Sequence, residues 1–147
     1  MSIKLFTIGY GKKPLDLFCT IIQGNGIRKI IDTRQNPNFI GSGEYRASKL
    51  RPIVEEKLGI EYQQIKEFAP TSKIRRNFRQ TSDWTGYVQE YTLLLRSRPI
   101  PEIFDQITAD CNRICLLCAE ATPEECHRRL VAEYLKSVRP DLEIIHL

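Results

Sequence analysis

The sequence predicts a single α/β domain with a mostly parallel sheet and helices on both of its faces, in a Rossmann-like, three-layer arrangement. Three observations lead to this prediction. Short β-rich runs alternate along the chain with segments whose apolar residues recur at helical spacing. The run at residues 112–120 is apolar on both faces, as buried parallel strands are. The 147 residues are the length of one domain.

The first half of the chain contains three predicted strands and two predicted helices. The strands are residues 4–10, 27–34 and 60–65, and the third is less apolar, so we expect it nearer an edge of the sheet. The first helix begins at Pro14 and ends at the Gly-Asn-Gly of residues 24–26. The second helix spans residues 47–58 and ends at Gly59.

The second half contains three predicted helices and two predicted strands. The helices are about residues 83–96, 99–110 and 122–138, and the strands are residues 112–120 and 142–147. Residues 35–46 and the basic segment 66–82 are expected to be irregular. Connections of this length in a compact domain are usually functional or disordered.

Composition and charge are those of an ordinary globular protein. Hydrophobic residues make up 41% and charged residues 27%, and the net charge is +4. No apolar run approaches the roughly 18 residues that cross a membrane, and the start, MSIKLFTIGY, lacks the features of a signal peptide. We therefore expect a cytoplasmic protein without a membrane partner, whose five cysteines are free thiols.

Polar and reactive side chains follow three of the predicted strands. The strand ends read Gly9-Tyr10-Gly11, Asp32-Thr33-Arg34 and Cys118-Ala119-Glu120. The carboxyl ends of parallel strands lie along one edge of a sheet, where sites form. Residues two apart in a strand share a face, so Asp32 and Arg34 point the same way, as do Cys118 and Glu120. Asp32 and Arg34 are either a structural ion pair or part of a site.

The segment TPEE at residues 122–125 has the pattern of a capping box, which predicts that the last long helix begins at residue 122. Four residues before core-facing positions of this helix lie Cys126 and His127. Both are therefore expected to face the edge that carries the strand ends. Arg128 and Arg129 are expected on the flank of the helix.

A cysteine near a helix N-terminus, beside an imidazole and guanidinium groups, is expected to have a lowered thiol pKa. Either Cys118 or Cys126 is then a candidate nucleophile, with His127 as its base. Neighbouring glutamates oppose thiolate formation. The alternative is that both cysteines are small core residues and that His127 is a structural hydrogen-bonding group.

A zinc site is the next alternative, since Cys115-x-x-Cys118 is followed by Cys126 and His127. However, Cys115 and Cys118 are three apart on a strand, so their side chains point to opposite faces. We therefore predict no metal site, and a thioredoxin-type pair is disfavoured because this motif lies inside a strand. No phosphate-binding loop motif is present, and the sequence identifies no cofactor.

The basic segment carries Arg75, Arg76 and Arg79 around Phe78. Arginines that contact phosphates and aromatic rings that stack on bases are typical of single-stranded nucleic acid binding. The segment thus predicts an anionic partner, a nucleotide or a nucleic acid. The alternative is a solvated loop, with Trp84 on the core face of the helix that follows.

Several motifs of the chain resemble those of the domain of unknown function 488 (DUF488) family. They are TIGYG at 7–11, DTRQNP at 32–37, GIEY at 59–62, the stretch 84–91, LLCAE at 116–120 and CHR at 126–128. The resemblance implies a small α/β domain with one site formed by Tyr10, Asp32, Arg34, Cys118, Glu120, Cys126, His127 and Arg128. It implies no activity. Where the family usually has a glycine pair after the third strand, this chain has Phe68-Ala69-Pro70.

We therefore expect a cysteine-dependent enzyme, a hydrolase or transferase, that acts on a nucleotide or nucleic acid. The candidate catalytic residues are Cys118, Glu120, Cys126, His127 and Arg128, and the candidate substrate-binding residues are Tyr10, Asp32, Arg34, Arg75, Arg76 and Arg79. The alternative is a binding module without catalysis, in which the cluster of cysteine, histidine and arginine is structural.

Overall fold

A five-stranded sheet runs through the computed structural model of the chain, which describes residues 2–120 and 123–147. Its strands are β1 (Lys4–Gly9), β2 (Lys29–Asp32), β3 (Glu61–Gln64), β4 (Arg113–Cys118) and β5 (Glu143–His146). The strand order is β3-β2-β4-β1-β5, and every neighbouring pair is parallel. The predicted α/β class is confirmed, and the third strand lies at an edge as expected.

Six α-helices flank the sheet in these described residues. They are α1 (Leu15–Gly24), α2 (Ala47–Pro52), α3 (Ser72–Thr81), α4 (Trp84–Ser97), α5 (Ile100–Ile107) and α6 (His127–Val138), with shorter helical turns at Ile40–Tyr45, Ile53–Lys57 and Lys66–Phe68. None of the described helices combines the length and the apolar composition needed to cross a membrane.

The sheet lies between two apolar layers. On one face Leu116 packs with residues of α3 to α6, and on the other Cys115 and Leu117 pack with residues of α1 and α2. β4 is therefore covered by helices on both faces, which explains its continuous apolar sequence. It pairs with β1 along one edge and with β2 along the other. The predicted three-layer arrangement is confirmed.

The ends of the three adjacent strands β2, β4 and β1 lie side by side. Cys118 is in register with Gly9, and the amide of Thr33 donates to the carbonyl of Leu117 at 3.0 Å. Because these strands are parallel neighbours, the residues that follow them meet at one edge. The sequence predicted this convergence, although it did not predict the strand order.

The prediction of an irregular basic segment at 66–82 is wrong over ten of its residues, because Ser72–Thr81 forms α3. Thr71 caps this helix, since its side-chain oxygen accepts from the amide of Ile74 at 3.2 Å. Ile74 is buried, and the ring of Phe78 packs on Trp84 of α4 with centroids 5.5 Å apart. Two apolar contacts one turn apart thus order a helix whose other positions are mostly polar.

The last helix begins later than predicted. α6 starts at His127, whereas residues 123–125 form a bend and a turn and Cys126 has an extended backbone. Thr122, the predicted cap, lies outside the described residues. The side chain of Arg129 donates to the carbonyls of Pro123 and Glu124 at 3.1 and 2.9 Å, so these carbonyls are bonded by a guanidinium instead of helical amides.

A close approach at Gly9 provides a test of this packing. A Cβ atom at Gly9 would lie 1.3 Å from the carbonyl oxygen of Glu120 and 2.6 Å from Nη1 of Arg128. We expect Gly9→Ala to lower the free energy of unfolding by about 3 kcal/mol or more, because backbone atoms must move. Gly24→Ala is the matched control, since nothing lies within 4 Å of its Cβ position. Urea denaturation measures both, and a stable Gly9→Ala variant would contradict the close approach.

Candidate functional site

Two cysteines meet where β4 ends and α6 begins. The sulfur atoms of Cys118 and Cys126 are 2.8 Å apart, and both residues are buried and free of disulfide bonds. The extended backbone of Cys126, with φ −135° and ψ 139°, places its side chain over the end of the sheet. The prediction that Cys126 faces the strand ends is confirmed.

The side chain of Arg128 contacts both of these sulfur atoms. Its Nη1 donates to Sγ of Cys118 at 2.9 Å and to the carbonyl of Glu120 at 2.9 Å, and it lies 3.6 Å from Sγ of Cys126. Its Nε donates to the hydroxyl of Thr7 at 3.3 Å. The prediction that Arg128 lies on the flank of the helix is wrong: its side chain is 0% exposed. It fills the space between the ends of β1 and β4.

The sulfurs of Cys118 and Cys126 and the guanidinium of Arg128 shift one another's pKa values. Burial opposes a thiolate at Cys118, but the hydrogen bond from Cys126 and the charge of Arg128 outweigh it and lower the pKa of Cys118. The pKa of Cys126 is raised because it donates to Cys118 and because it is buried. Burial also opposes the charge of Arg128, yet the two sulfur atoms raise its pKa. These shifts favour ionisation at Cys118 over ionisation at Cys126.

His127 is bonded to the end of β2. Its Nε2 lies 3.0 Å from the carbonyl and 2.9 Å from the hydroxyl of Thr33, and its ring meets that of Tyr91 edge-on. Burial lowers the pKa of His127 to about 4, partly offset by the bond to the Thr33 carbonyl. The imidazole is therefore neutral at neutral pH and donates from Nε2. Within the described ranges, no hydrogen bond joins this ring to either thiol.

Arg34 and Asp32 form a buried ion pair. Nε and Nη2 of Arg34 donate to the carboxylate of Asp32 at 2.9 and 2.7 Å, and the hydroxyl of Tyr62 donates to the same carboxylate. Burial opposes the charge of Arg34, but Asp32 outweighs it and raises the pKa. Nη1 of Arg34 is buried and has no partner among the described residues, and the guanidinium lies 5.3 Å from the ring centroid of Tyr10. Asp32 thus positions an arginine that keeps one amino group unpaired.

A cavity of about 450 Å³ opens beside these groups. Its wall contains charged residues, aromatic rings and three of the predicted catalytic residues, Glu120, Cys126 and His127. The charged residues are Arg34, Arg75, Arg79, Glu120 and Glu125, and the aromatic rings are those of Tyr10, Phe39, Phe78 and Tyr87. Of the predicted site residues, Asp32, Arg76, Cys118 and Arg128 are not in this wall as far as the structure describes it.

The basic residues of α3 divide between the cavity and the solvent. Arg75 and Arg79 are one helical turn apart, and both line the cavity. Nη1 of Arg75 donates to the side chain of Gln35 at 3.3 Å. Arg76 is exposed outside the cavity wall. Because this segment is a helix, which the sequence did not reveal, Arg75 and Arg79 lie on the same side of it and both line the cavity.

Sequence reasoning missed the residues that hold the site in place. Thr33 binds His127 and also donates from its hydroxyl to the carbonyl of Leu117 at 2.8 Å. Tyr62 binds Asp32, and Thr7 binds Arg128. Thr33 lies within the DTRQNP motif and Tyr62 within the GIEY motif, so the motifs contained a signal for these two. Thr7 is the first residue of the TIGYG motif, but its position in an apolar strand gave no indication that its hydroxyl bonds to Arg128.

The loop at Phe68-Ala69-Pro70 has a defined conformation without glycine. Nη1 of Arg98 donates to the carbonyls of Glu67 and Ala69 at 2.7 and 2.6 Å. The hydroxyl of Tyr91 donates to the backbone carbonyl of Phe68. Pro70 lines the cavity. Contacts from α4 and the residue after it therefore replace the conformational freedom that a glycine pair would supply.

One comparison with known proteins assigns the chain to a family. The family model described as "Domain of unknown function DUF488" matches residues 14–135. The chain belongs to the DUF488 family. No curated protein and no solved structure matches the chain.

The site of this DUF488 protein is suited to thiol chemistry next to an anion. No cluster of three or more potential metal ligands exists among its described residues. Cys115 packs in the layer of α1 and α2 while Cys118 contacts α6, so the two sulfurs lie on opposite faces as predicted. The site combines two thiols in contact, the neutral imidazole of His127 and the guanidinium of Arg34, one nitrogen of which has no partner among the described residues.

The bonded, neutral state of His127 predicts an acid sensitivity of this DUF488 domain. Between about pH 6.5 and about pH 4 the unfolded chain binds a proton at residue 127 that the folded chain does not, so stability falls as the pH is lowered. We expect this loss to be on the order of 2 kcal/mol. His127→Gln keeps an N–H donor for Thr33 but does not titrate, so its loss should be smaller. Urea denaturation at both ends of this range measures it, and equal losses would contradict the assignment.

Proposed function

We propose that this DUF488 protein is a cysteine-dependent enzyme, a hydrolase or a transferase, that acts on a nucleotide or a nucleic acid. One observation carries the proposal: Cys126 lines the cavity, and its sulfur contacts that of Cys118, which accepts a hydrogen bond from Arg128. A cytoplasmic location, where thiols stay reduced, is part of this proposal.

The nucleophile is Cys126, because Cys118 is fully buried behind it. Transfer of one proton across the 2.8 Å contact converts the Cys118 thiolate and Cys126 thiol into the opposite pair. Arg128 lies within 3.6 Å of both sulfurs, so its charge stabilises the thiolate at either position. Cys118 therefore acts as the base that activates Cys126.

The anionic part of the substrate binds at the arginines of the wall. Nη1 of Arg34 is buried and unpaired among the described residues, a cost that a bound phosphate or carboxylate oxygen would remove. Arg75 and Arg79 add two positive charges from α3. The exposed ring of Phe39 in the same wall offers a surface on which a base can stack.

The remaining wall residues handle protons. The thiolate attacks an electrophilic centre of the bound substrate, and the leaving group must then receive a proton. The ring of His127 is neutral and its one proton is on Nε2, which donates to Thr33, so Nδ1 can accept a proton but has none to give. The side chain of Glu120 lies in the same wall, and its carboxyl group is proposed to pass a proton from water in the cavity to the leaving group. Release of the group to water makes a hydrolase, and release to another acceptor makes a transferase.

Alkylation by iodoacetamide tests the activated thiol. We expect Cys126 to carry the label, with a rate that reaches half its maximum at a pH below about 8.5, the ordinary thiol value. Cys118→Ser removes the sulfur that accepts the proton of Cys126 in the proposed mechanism, so the rate of labelling at neutral pH should fall about tenfold or more. Cys111→Ser, at a half-buried thiol remote from the cavity wall, is the control. Peptide mass mapping against pH measures the rates. If Cys126 reacts no faster than Cys111 at neutral pH, the mechanism is wrong.

The second candidate function is a binding module that holds the same ligands without converting them. It is favoured by the arginines of α3, two of which line the cavity without needing the thiols. In that case the Cys118→Ser and Cys126→Ser variants would bind a nucleotide as the wild type does, and no substrate would be turned over by any of the proteins.

Arginine variants test the anion site that both functions require. We expect Arg75→Ala and Arg79→Ala each to weaken binding of a mononucleotide about tenfold and to reduce its salt dependence. Lys73→Ala removes the same charge from an exposed position of α3 outside the cavity wall, so it should have little effect. Arg76→Ala should weaken binding of a single strand more than that of a mononucleotide. Fluorescence anisotropy measures these affinities, and equal losses for Lys73→Ala and Arg79→Ala would contradict the site.

A further inference from the structure

We propose that Cys118 and Cys126 are a redox-active dithiol, which a hydroperoxide converts into an intramolecular disulfide that switches the site off. The inference rests on the proposed function in one respect, that Cys126 reacts from the cavity wall. It adds a modification site and a form of regulation that the nucleophilic role does not require.

The first argument is the distance between the two sulfurs. They lie 2.8 Å apart, so a disulfide bond of about 2.05 Å requires a movement of less than about 1 Å. Cys126 precedes α6 and has an extended backbone, so its approach breaks no helical turn. The ring closed by the bond is short, since the two cysteines are eight positions apart.

The second argument is the access and the charge of the pair. Cys126 is 2% exposed but belongs to the cavity wall, so the cavity is the route by which a small hydroperoxide approaches its sulfur. Arg128 donates to Cys118 at 2.9 Å and keeps one of the two sulfurs ionised. A reactive thiolate at an accessible position with a second thiol beside it is the arrangement of redox-sensitive cysteines.

The chemistry balances with a hydroperoxide as the two-electron oxidant. Proton transfer to Cys118 leaves Cys126 as the thiolate, which attacks the terminal peroxide oxygen. The O–O bond breaks, an S–O bond forms, and the departing alkoxide takes the proton from Cys118 to give the alcohol. The Cys118 thiolate then attacks Sγ of the Cys126 sulfenic acid. The S–S bond forms as the S–O bond breaks, and the hydroxide that leaves takes a proton from the solvent to give water. Two thiols are oxidised to one disulfide, and the peroxide is reduced to alcohol and water.

The other three cysteines do not share this arrangement. Cys19 and Cys115 pack in the layer of α1 and α2. The thiol of Cys111 donates to the carbonyl of Arg113 at 3.5 Å, at the opposite end of β4. All five cysteines lie in the described part of the chain, and there only Cys118 and Cys126 bring their sulfurs into contact.

Formation of the disulfide would disable the site in two ways. It removes the nucleophile from the cavity wall. It also removes the negative charge that balances the buried guanidinium of Arg128, so the packing between β1, β4 and α6 loses an ionic contact. A dithiol reductant reverses both effects by thiol–disulfide exchange.

The test is a thiol count of the full chain after oxidation. The reduced protein is treated with an equimolar amount of hydrogen peroxide, denatured, and labelled with a maleimide. We expect three of the five thiols to remain, peptide mapping to join Cys118 to Cys126, and dithiothreitol to restore the count. In Cys118→Ser, Cys126 should stop at the sulfenic acid, which dimedone traps. Cys111→Ser, the control, should form the same disulfide as the wild type.

Two outcomes would overturn the inference: five labelled thiols after oxidation, or a disulfide that joins other cysteines. The iodoacetamide experiment separates this inference from the proposed function. Rapid alkylation of Cys126 without disulfide formation would remove the dithiol switch and leave the enzyme mechanism. Disulfide formation without an activated Cys126 would support the dithiol and remove the enzyme mechanism.

Discussion

The fold and the site depend together on the buried guanidinium of Arg128. It reaches from the first turn of α6 to the hydroxyl of Thr7 in β1, the sulfur of Cys118 at the end of β4 and the carbonyl of Glu120 beyond it. A buried cation without a counter-charge is strongly unfavourable. In this molecule the guanidinium donates to the sulfur of Cys118 and lowers the pKa of that thiol, so the contact that fastens the last helix to the sheet also favours ionisation of Cys118.

Arg34 is a second buried arginine of the site, and its partner is a carboxylate instead of a sulfur. Its guanidinium is satisfied on one edge by Asp32, which Tyr62 in turn holds, and this leaves Nη1 unpaired in the cavity wall. Arg128 also has one buried nitrogen, Nη2, without a partner among the described residues, while its Nε and Nη1 bond to Thr7, Cys118 and Glu120. Arg34, which follows β2, and Arg128, in the first turn of α6, thus place two buried guanidinium groups near the same strand ends.

The sequence predicted the convergence of the strand ends because periodicity and parallel pairing are sufficient to place them. It could not predict the position of Arg128, since the space that this side chain fills exists only because β1 pairs with β4. Local capping signals placed the start of α6 too early, because they do not show that the side chain of Arg129 bonds the preceding carbonyls. The run of arginines concealed α3, whose order comes from the tertiary contacts of Ile74 and Phe78 with other helices.

A thiolate activated by a second thiol differs in kind from one activated by a histidine. An imidazole that accepts the proton of a nucleophile survives oxidation of that nucleophile, but a thiol partner is itself a reductant. His127 is available nearby, yet it is bonded to Thr33 and not to either sulfur in the described structure. The sharing of the proton therefore falls to Cys118, at a distance where a shared proton and a covalent bond are alternative states of the same pair. In the proposed mechanism the nucleophilic reactivity of Cys126 is therefore coupled to its redox state, and Arg128, which contacts both sulfurs, would influence both.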